Sequence, residues 1–420
     1  MTAVVAVALG AGSFAQAADW PAWRGAAGIG VCTEEDLPLR WSPTENVRWR
    51  IPLPEAGNST PIVVAGRVFV TQPVGPRRTL MCFDRRDGKL LWQQGVQTAA
   101  KETTHGTNPH CSASPVSDGQ RVVASFASDG LFCYDLEGRE LWRRTDLGKQ
   151  VHIWGNASSP VLHGGLCYLN FGPGVTTYLI AVDKTTGKTV WKHDEQTDYG
   201  KPLPADPKTG KRGNPTYIGS WATPVIMKVQ GREQLLMGWP RRMAAYDPAT
   251  GKELWSCEGL KELVYTSPIH DGEIAVVLGG FGGPAMAIRT GPEGKLDASQ
   301  VLWHHPRNRQ RIGSAVIRGG HMYLHTDPGY AQCYELATGK LVWEERLTGQ
   351  GRGTTNWSSV LLAGERCYTI TQGGDCFVFR ASPKFELLAV NSLGERSNSS
   401  IAASDGELFI RTHKALWCIK

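Results

Sequence analysis

The chain has 420 residues, 41% hydrophobic and 20% charged, with a formal net charge of +6 at pH 7. That balance describes a globular protein and excludes a helical membrane span, since no apolar run is long enough to cross a bilayer. It also gives no reason to expect nucleic acid, because Lys and Arg cluster no further than pairs such as Arg77-Arg78 and Arg241-Arg242. Gly 49, Pro 25 and Trp 15 are high for this length and point to many turns and to strands rather than helices.

In chain order, the first element is an expected export signal. Residues 3–9 are almost wholly apolar, Gly10 to Ser13 break the run, and Ala15-Gln16-Ala17 match a small-x-small cleavage pattern. This predicts a signal peptide over 1–17, a mature chain from Ala18, and a periplasmic or secreted location. Cys32 is too far downstream to serve as a lipid attachment site. A lead-in over 18–44 follows, and its Trp20, Trp23 and Trp41 are expected to pin it to the side of the folded body.

From residue 45 an internal repeat dominates. Each unit opens with a hydroxyl residue: Thr60, Ser114, Ser159, Thr223, Ser267, Ser314, Ser359 and Ser400. Pro follows the first five, as is tolerated at the first residue of a strand. Each unit closes on a turn and a tryptophan: Asp84-x3-Gly88-x3-Trp92, Asp183-x3-Gly187-x3-Trp191, Asp247-x3-Gly251-x3-Trp255, with Glu335-x3-Gly339-x3-Trp343 and Asp135-x2-Gly138-x3-Trp142 as variants. The Gly supplies the positive φ of a tight hairpin, and the Asp bonds into the turn backbone. The fifth unit keeps Trp303 but loses the turn, and the seventh has Leu387-Leu388 in place of Trp.

These units fit four-stranded propeller blades. The expected fold is all-β: one eight-bladed β-propeller over 45–420, with antiparallel blades at about 59–92, 113–142, 158–191, 222–255, 266–303, 313–343, 358–389 and 399–420 plus 45–51. The eighth unit ends after three strands, and Val47-Arg48-Trp49 is predicted to supply its fourth and close the ring, removing an exposed edge. Trp49, Trp92, Trp142, Trp191, Trp255, Trp303 and Trp343 share the repeat slot and are assigned to packing between blades. Cys82, Cys133, Cys333, Cys376 and Cys418 share a third-strand slot and Cys167 and Cys367 a second-strand slot; most such slots in different blades are too far apart to pair, so these read as small buried hydrophobes and any disulfide as incidental.

The Asp-x3-Gly-Lys-x2-Trp repeats with Ser-x-Pro strand starts resemble the PQQ-like, or quinoprotein-type, propeller repeat. The lead-in Asp19-Trp20-Pro21-Ala22-Trp23-Arg24-Gly25, with Trp41 and Asn46-Val47-Arg48-Trp49, is similar to exported propellers of planctomycete-type bacteria. More distant members are the propeller of the outer-membrane barrel assembly machine and PQQ alcohol dehydrogenases. The resemblance implies the fold and leaves the activity open. The dehydrogenase branch carries an adjacent Cys-Cys pair, a calcium site of Glu, Asn and Asp, and a catalytic Asp; this chain has no Cys-Cys pair. The assembly branch carries a lipidation Cys that is not found here.

Propeller geometry divides the loops between two faces. Links between third and fourth strands are short and regular, whereas links between blades and between second and third strands are long and individual, and that irregular face is where binding is expected. Its segments include 103–110, 151–156, 170–174, 238–242, 279–283, 309–311, 352–357 and 411–413, and the long insertion His193 to Ser220 is expected to strap over it. The candidate ligand-binding residues at the channel mouth are His110, Asn156, Trp221, Arg241, Tyr265, Arg311, Trp357 and Asn398. Aromatics, amides and Arg together suit an anionic, flat or sugar-like ligand. No catalytic set, zinc spacing or metal site emerges, and no cofactor is predicted.

Two functions follow. One is a monomeric, non-spanning binding or scaffold module for an envelope protein segment or glycan. The alternative is a PQQ-dependent sugar or alcohol dehydrogenase using calcium, for which the basic channel mouth would suit a tricarboxylate quinone.

Overall fold

A computed structural model describes residues 19–98, 102–291, 293–351 and 353–420. The expected signal peptide over 1–17 lies outside them. Among the described residues, eight antiparallel sheets are arranged as the blades of a closed propeller, spanning 62–97, 116–144, 161–194, 225–258, 269–305, 316–346, 361–392, and 402–419 with 47–52. The last sheet is closed from the other end of the chain: Val47–Pro52 runs antiparallel to Ala415–Ile419, with Trp49 opposite Cys418, Arg50 opposite Trp417 and Pro52 opposite Ala415. Arg85 reinforces this seam, donating to Glu407 from Nε at 3.0 Å and from Nη2 at 2.8 Å across the join between blades 8 and 1.

The repeat motif acts between blades rather than within one. In six of the seven repeat-slot tryptophans the indole N–H donates, at 2.7–3.0 Å, to a carbonyl in the third-to-fourth-strand turn of the next blade; the acceptors are Arg85, Leu136, Lys184, Pro248, Leu336 and Ser382. In five of these six a turn glycine lies against the same indole, all but the Ser382 turn. A Cβ on Gly251, which has φ +71, would stand 2.5 Å from two ring carbons of Trp191. Trp255 is the exception, because blade 5 has lost its turn. Its indole donates instead to Gln234 Oε1 of its own blade at 2.8 Å. The segment replacing the turn sends Gly294–Lys295 back to pair in parallel with Trp255–Ser256.

The opening hydroxyls form a ring. The backbone N–H at each blade's hydroxyl position donates to the hydroxyl oxygen of the next blade, from Thr60 to Ser114 and onward until Ser400 N–H reaches Thr60 Oγ1. All eight bonds measure 2.8–3.1 Å. Strand starts around the axis are thereby satisfied by side chains, as buried backbone donors require.

The first part of the lead-in, with Trp20, does not lie on the side of the barrel as expected, whereas Trp41 does. That first part enters the channel from the regular-turn face and touches inner strands around the axis. Trp20 exchanges backbone bonds with Val63 at 2.8 and 2.9 Å, Pro21 accepts from Ser117 N–H at 2.8 Å, and Gly30 accepts from Leu362 N–H at 2.8 Å. Arg24 Nη2 donates to Ala315 O at 2.5 Å, and Val31–Cys32 pairs in parallel with Leu362–Ala363. Only then does the chain pass outward, where Trp41 N–H donates to Asn391 Oδ1 at 2.9 Å on the outer strand of blade 7. The apolar inner-strand edges around a channel this wide need a filler, and the lead-in supplies it.

The ten cysteines are free and buried. Burial pushes thiols such as Cys82 and Cys133 up to about 12, so they serve as small apolar side chains. Burial acts on histidine in the opposite sense. His325, 1% exposed, has Nδ1 3.1 Å from Thr369 Oγ1 and no partner at Nε2, and desolvation holds it down to about 3. It is neutral when folded and takes a proton when the chain unfolds. Its contribution is therefore complete above pH 6.5 and drains as pH falls toward 3. At one pKa unit per ~1.4 kcal/mol, wild type should lose about 2 kcal/mol more than His325→Gln between pH 7 and pH 4.5. Urea unfolding of both proteins at the two pH values measures the difference; parallel losses would show that His325 does not drive it.

Candidate functional site

The plug stops short of the irregular face and leaves a cavity of about 370 Å³ on the axis. Its wall includes Trp23 from the plug and six ring hydroxyls, those of Thr60, Ser114, Ser159, Thr223, Ser359 and Ser400. Each of these oxygens has accepted a backbone N–H. Among the described residues, none of the six donates its own proton to a protein acceptor.

Aromatic side chains from the loops form the rest of the wall. Trp221 stacks on Tyr265 with ring centres 4.6 Å apart and planes at 25°, and Trp154 stacks on Phe281 at 5.6 Å and 18°. The two pairs adjoin, Trp154 lying 6.0 Å from Trp221 and 6.3 Å from Tyr265. Gly280 allows the 279–283 loop to lie flat on this group, because a Cβ there would fall 1.6 Å from the Tyr265 ring. The glycine-rich segment thus serves close packing against an aromatic. Arg311 lies 4.2 Å over Phe281 and 5.7 Å from Trp357, and its Nη1 meets Asp327 at 3.0 Å.

Four polar atoms of lining residues have no partner among the described residues: Tyr265 Oη, Trp357 Nε1, Arg311 Nε and Asn58 Oδ1. Burial pushes the Tyr265 phenol well above its ordinary range, so it stays protonated as a donor. Among the described residues, no Asp or Glu lines the cavity. The site is an apolar box with unspent donors and a single guanidinium.

The structure gathers five of the sequence-nominated residues here: Trp221, Tyr265, Arg311, Trp357 and Asn398. It places three elsewhere. His110 lines a small separate crevice, 3.7 Å from Glu102. The Asn156 side chain donates to Gly172 O, and Asn156 flanks the same crevice. Arg241 sits on a tight turn and pairs with Asp198 of the 193–220 insertion at 2.8 Å. That insertion lies over the irregular face, with Tyr217 4.7 Å from Trp154. Arg411, in a loop first read as part of that face, is a buried seam residue whose Nη1 donates to Thr71 O at 2.8 Å.

Sequence reasoning passed over Trp23 and the hydroxyl ring as site components, and placed Trp154 and Phe281 in loops of the binding face without singling them out. The recurrence of eight hydroxyls was the available signal for the ring, and the loop tryptophans unassigned to packing were the signal for Trp154.

Eight four-stranded blades, closed by an N-terminal strand around an axial cavity rimmed by aromatics, define a propeller of the quinoprotein type. The chain belongs to the family described as outer membrane protein assembly factor BamB, whose model matches residues 40–193 and 175–420. A quinohemoprotein alcohol dehydrogenase, ADH-IIG of Pseudomonas putida, is 28% identical over 195 residues, covering 44% of this chain and 24% of that protein. Outer membrane protein assembly factor BamB of Xanthomonas campestris pv. campestris is 29% identical over 142 residues, 34% of this chain and 29% of that protein. The chain thus spans 24% and 29% of the length of these curated relatives. Among solved structures, BamB from Moraxella catarrhalis superposes with a TM-score of 0.60 at 11% identity, over 89% of this chain and 97% of that one. A europium-containing methanol dehydrogenase gives 0.66 at 12%, over 93% and 89%. At such identities the likeness is one of fold.

The dehydrogenases raise the question of a calcium-bound quinone. The aromatic walls and Arg311 suit a flat anion, but the donor set does not suit the metal. No carboxylate lines the cavity, and no cluster of three His, Cys, Asp or Glu stands anywhere among the described residues. The residues present therefore do not fit a calcium-assisted quinone centre, since a hard cation needs oxygen ligands of that kind.

Proposed function

We propose that this chain is a non-catalytic binding propeller working outside the cytoplasm, and that the axial aromatic cavity captures part of an envelope glycan or protein. The observation that carries the reading is the set of four unpartnered polar atoms in an aromatic cavity. Buried polar groups are normally satisfied, so their partners are expected on a guest. Membership in a family described as an assembly factor supports binding as the role.

Trp23, Trp154, Trp221 and Trp357 make the cavity its own reporter. Titrating the protein with envelope-derived glycan fragments and with peptide digests should give a saturable change in tryptophan fluorescence. A Tyr265→Ala/Trp357→Ala variant should bind at least tenfold more weakly. Identical titrations for both proteins would overturn the reading. With PQQ and calcium, melting temperature should stay unchanged and no dye-linked oxidation should appear. A ligand at a hundredfold its Kd would add about 2.7 kcal/mol, so a true cofactor is easily detected. Such a shift with activity would put an oxidoreductase in place of the binding module.

A further inference from the structure

A second depression adjoins the cavity and shares Phe281 with it. Phe281, half exposed, also lines a groove of about 840 Å³ between the 193–220 insertion and blades 5 and 6. Tyr217, which lines this groove, packs at a tilt of 31° against Trp154 of the cavity, ring centres 4.7 Å apart. The groove carries both signs of charge, but unequally. Glu344 meets Arg309 at 3.1 Å and Glu262 meets Arg241 at 3.9 Å. Lys261 and Arg307 are exposed and have no ion-pair partner among the described residues. The unpaired charge of the groove is positive, whereas the cavity beside it is neutral in composition apart from the Arg311–Asp327 pair.

The chemistry of the cavity separates a sugar from a peptide. Peptides bound in grooves commonly extend a sheet through backbone N–H and C=O groups. Here the strand-start N–H groups facing the axis are all spent in the hydroxyl ring. The ring offers instead hydroxyl protons, suited to the closely spaced oxygens of a saccharide, while Trp221/Tyr265 and Trp154/Phe281 offer flat faces to a pyranose.

From the adjacency of cavity and groove, which meet at Phe281, we propose that this site binds the end of an acidic oligosaccharide. The terminal ring enters the aromatic cavity, and the carboxylates of the following units lie along Lys261 and Arg307. This rests on the reading of the cavity as a binding site and adds the ligand class and its direction.

Calorimetry with galacturonate, tri- and tetragalacturonate, neutral galactotriose and triglutamate tests it on the full chain. Affinity should rise at least tenfold from galacturonate to the trimer and fall with salt, as exposed charge pairing does. Lys261→Glu/Arg307→Glu should abolish that gain and leave galacturonate binding unchanged. Equal affinity for galactotriose and trigalacturonate, or indifference to the charge reversal, would overturn the acidic ligand and leave the cavity reading intact. Binding of triglutamate without any saccharide would overturn the sugar assignment. No binding of any probe, with fluorescence titrations also indifferent to Tyr265→Ala/Trp357→Ala, would overturn both.

Discussion

A chain begun at Glu55, without plug and closing strand, should fail to fold as a monomer. Strand Ala415–Ile419 would keep its inner neighbour and lose its outer one, leaving an apolar edge of the kind that pairs with other chains. Trp20, Leu37, Trp41, Trp49 and Leu53 are each at most 8% exposed and would all be lost. At about 1.5–3 kcal/mol for each large apolar side chain, the deficit is on the order of 10 kcal/mol, as large as the stability of an ordinary domain. Size-exclusion chromatography should show association, and near-ultraviolet circular dichroism should show loss of the ordered tryptophan signal. Adding a peptide of residues 19–54 should restore part of that signal. A monomer melting like the full chain would show that neither segment supports the ring.

Gly251→Ala should cost about 3 kcal/mol, combining ~1–2 kcal/mol for a side chain in the left-handed region with an overpacking term of similar size. The added methyl would meet the Trp191 ring at 2.5 Å, and both atoms sit on backbone held by neighbouring blades. Trp191→Leu on its own should also destabilise, through the lost indole bond and a cavity. The two together should cost less than their sum, because the smaller side chain frees space for the alanine. Urea denaturation of the four proteins measures the coupling. Strict additivity would show that the Gly–Trp contact does not govern the turn.

Blade number, strand starts and ring closure were legible because each depends on local, repeated chemistry. Pro after a hydroxyl marks a strand start, Asp-x3-Gly marks a turn, and Val47-Arg48-Trp49 matches the pattern missing at the C-terminus. The plug was not legible, since residues 19–32 carry no period and Trp20 and Trp23 signal anchoring without saying to what. Of the site, Trp221, Tyr265, Arg311, Trp357 and Asn398 precede or enter inner strands and were found through topology. Trp154 and Phe281 reach the cavity from loop tips, whose direction no pattern encodes. Arg241 was misleading because its charge is answered by Asp198, an insertion residue forty-three positions earlier.

The hydroxyl ring also bears on how such a molecule grows. Its links run head to tail, and every blade offers one acceptor and needs one. A tandem duplication of a whole unit would bring its own complement and slot into the circuit without leaving any neighbour wanting. At the periphery a further unit would need only the pair that five of the eight joins already use, an indole set against a bare turn glycine.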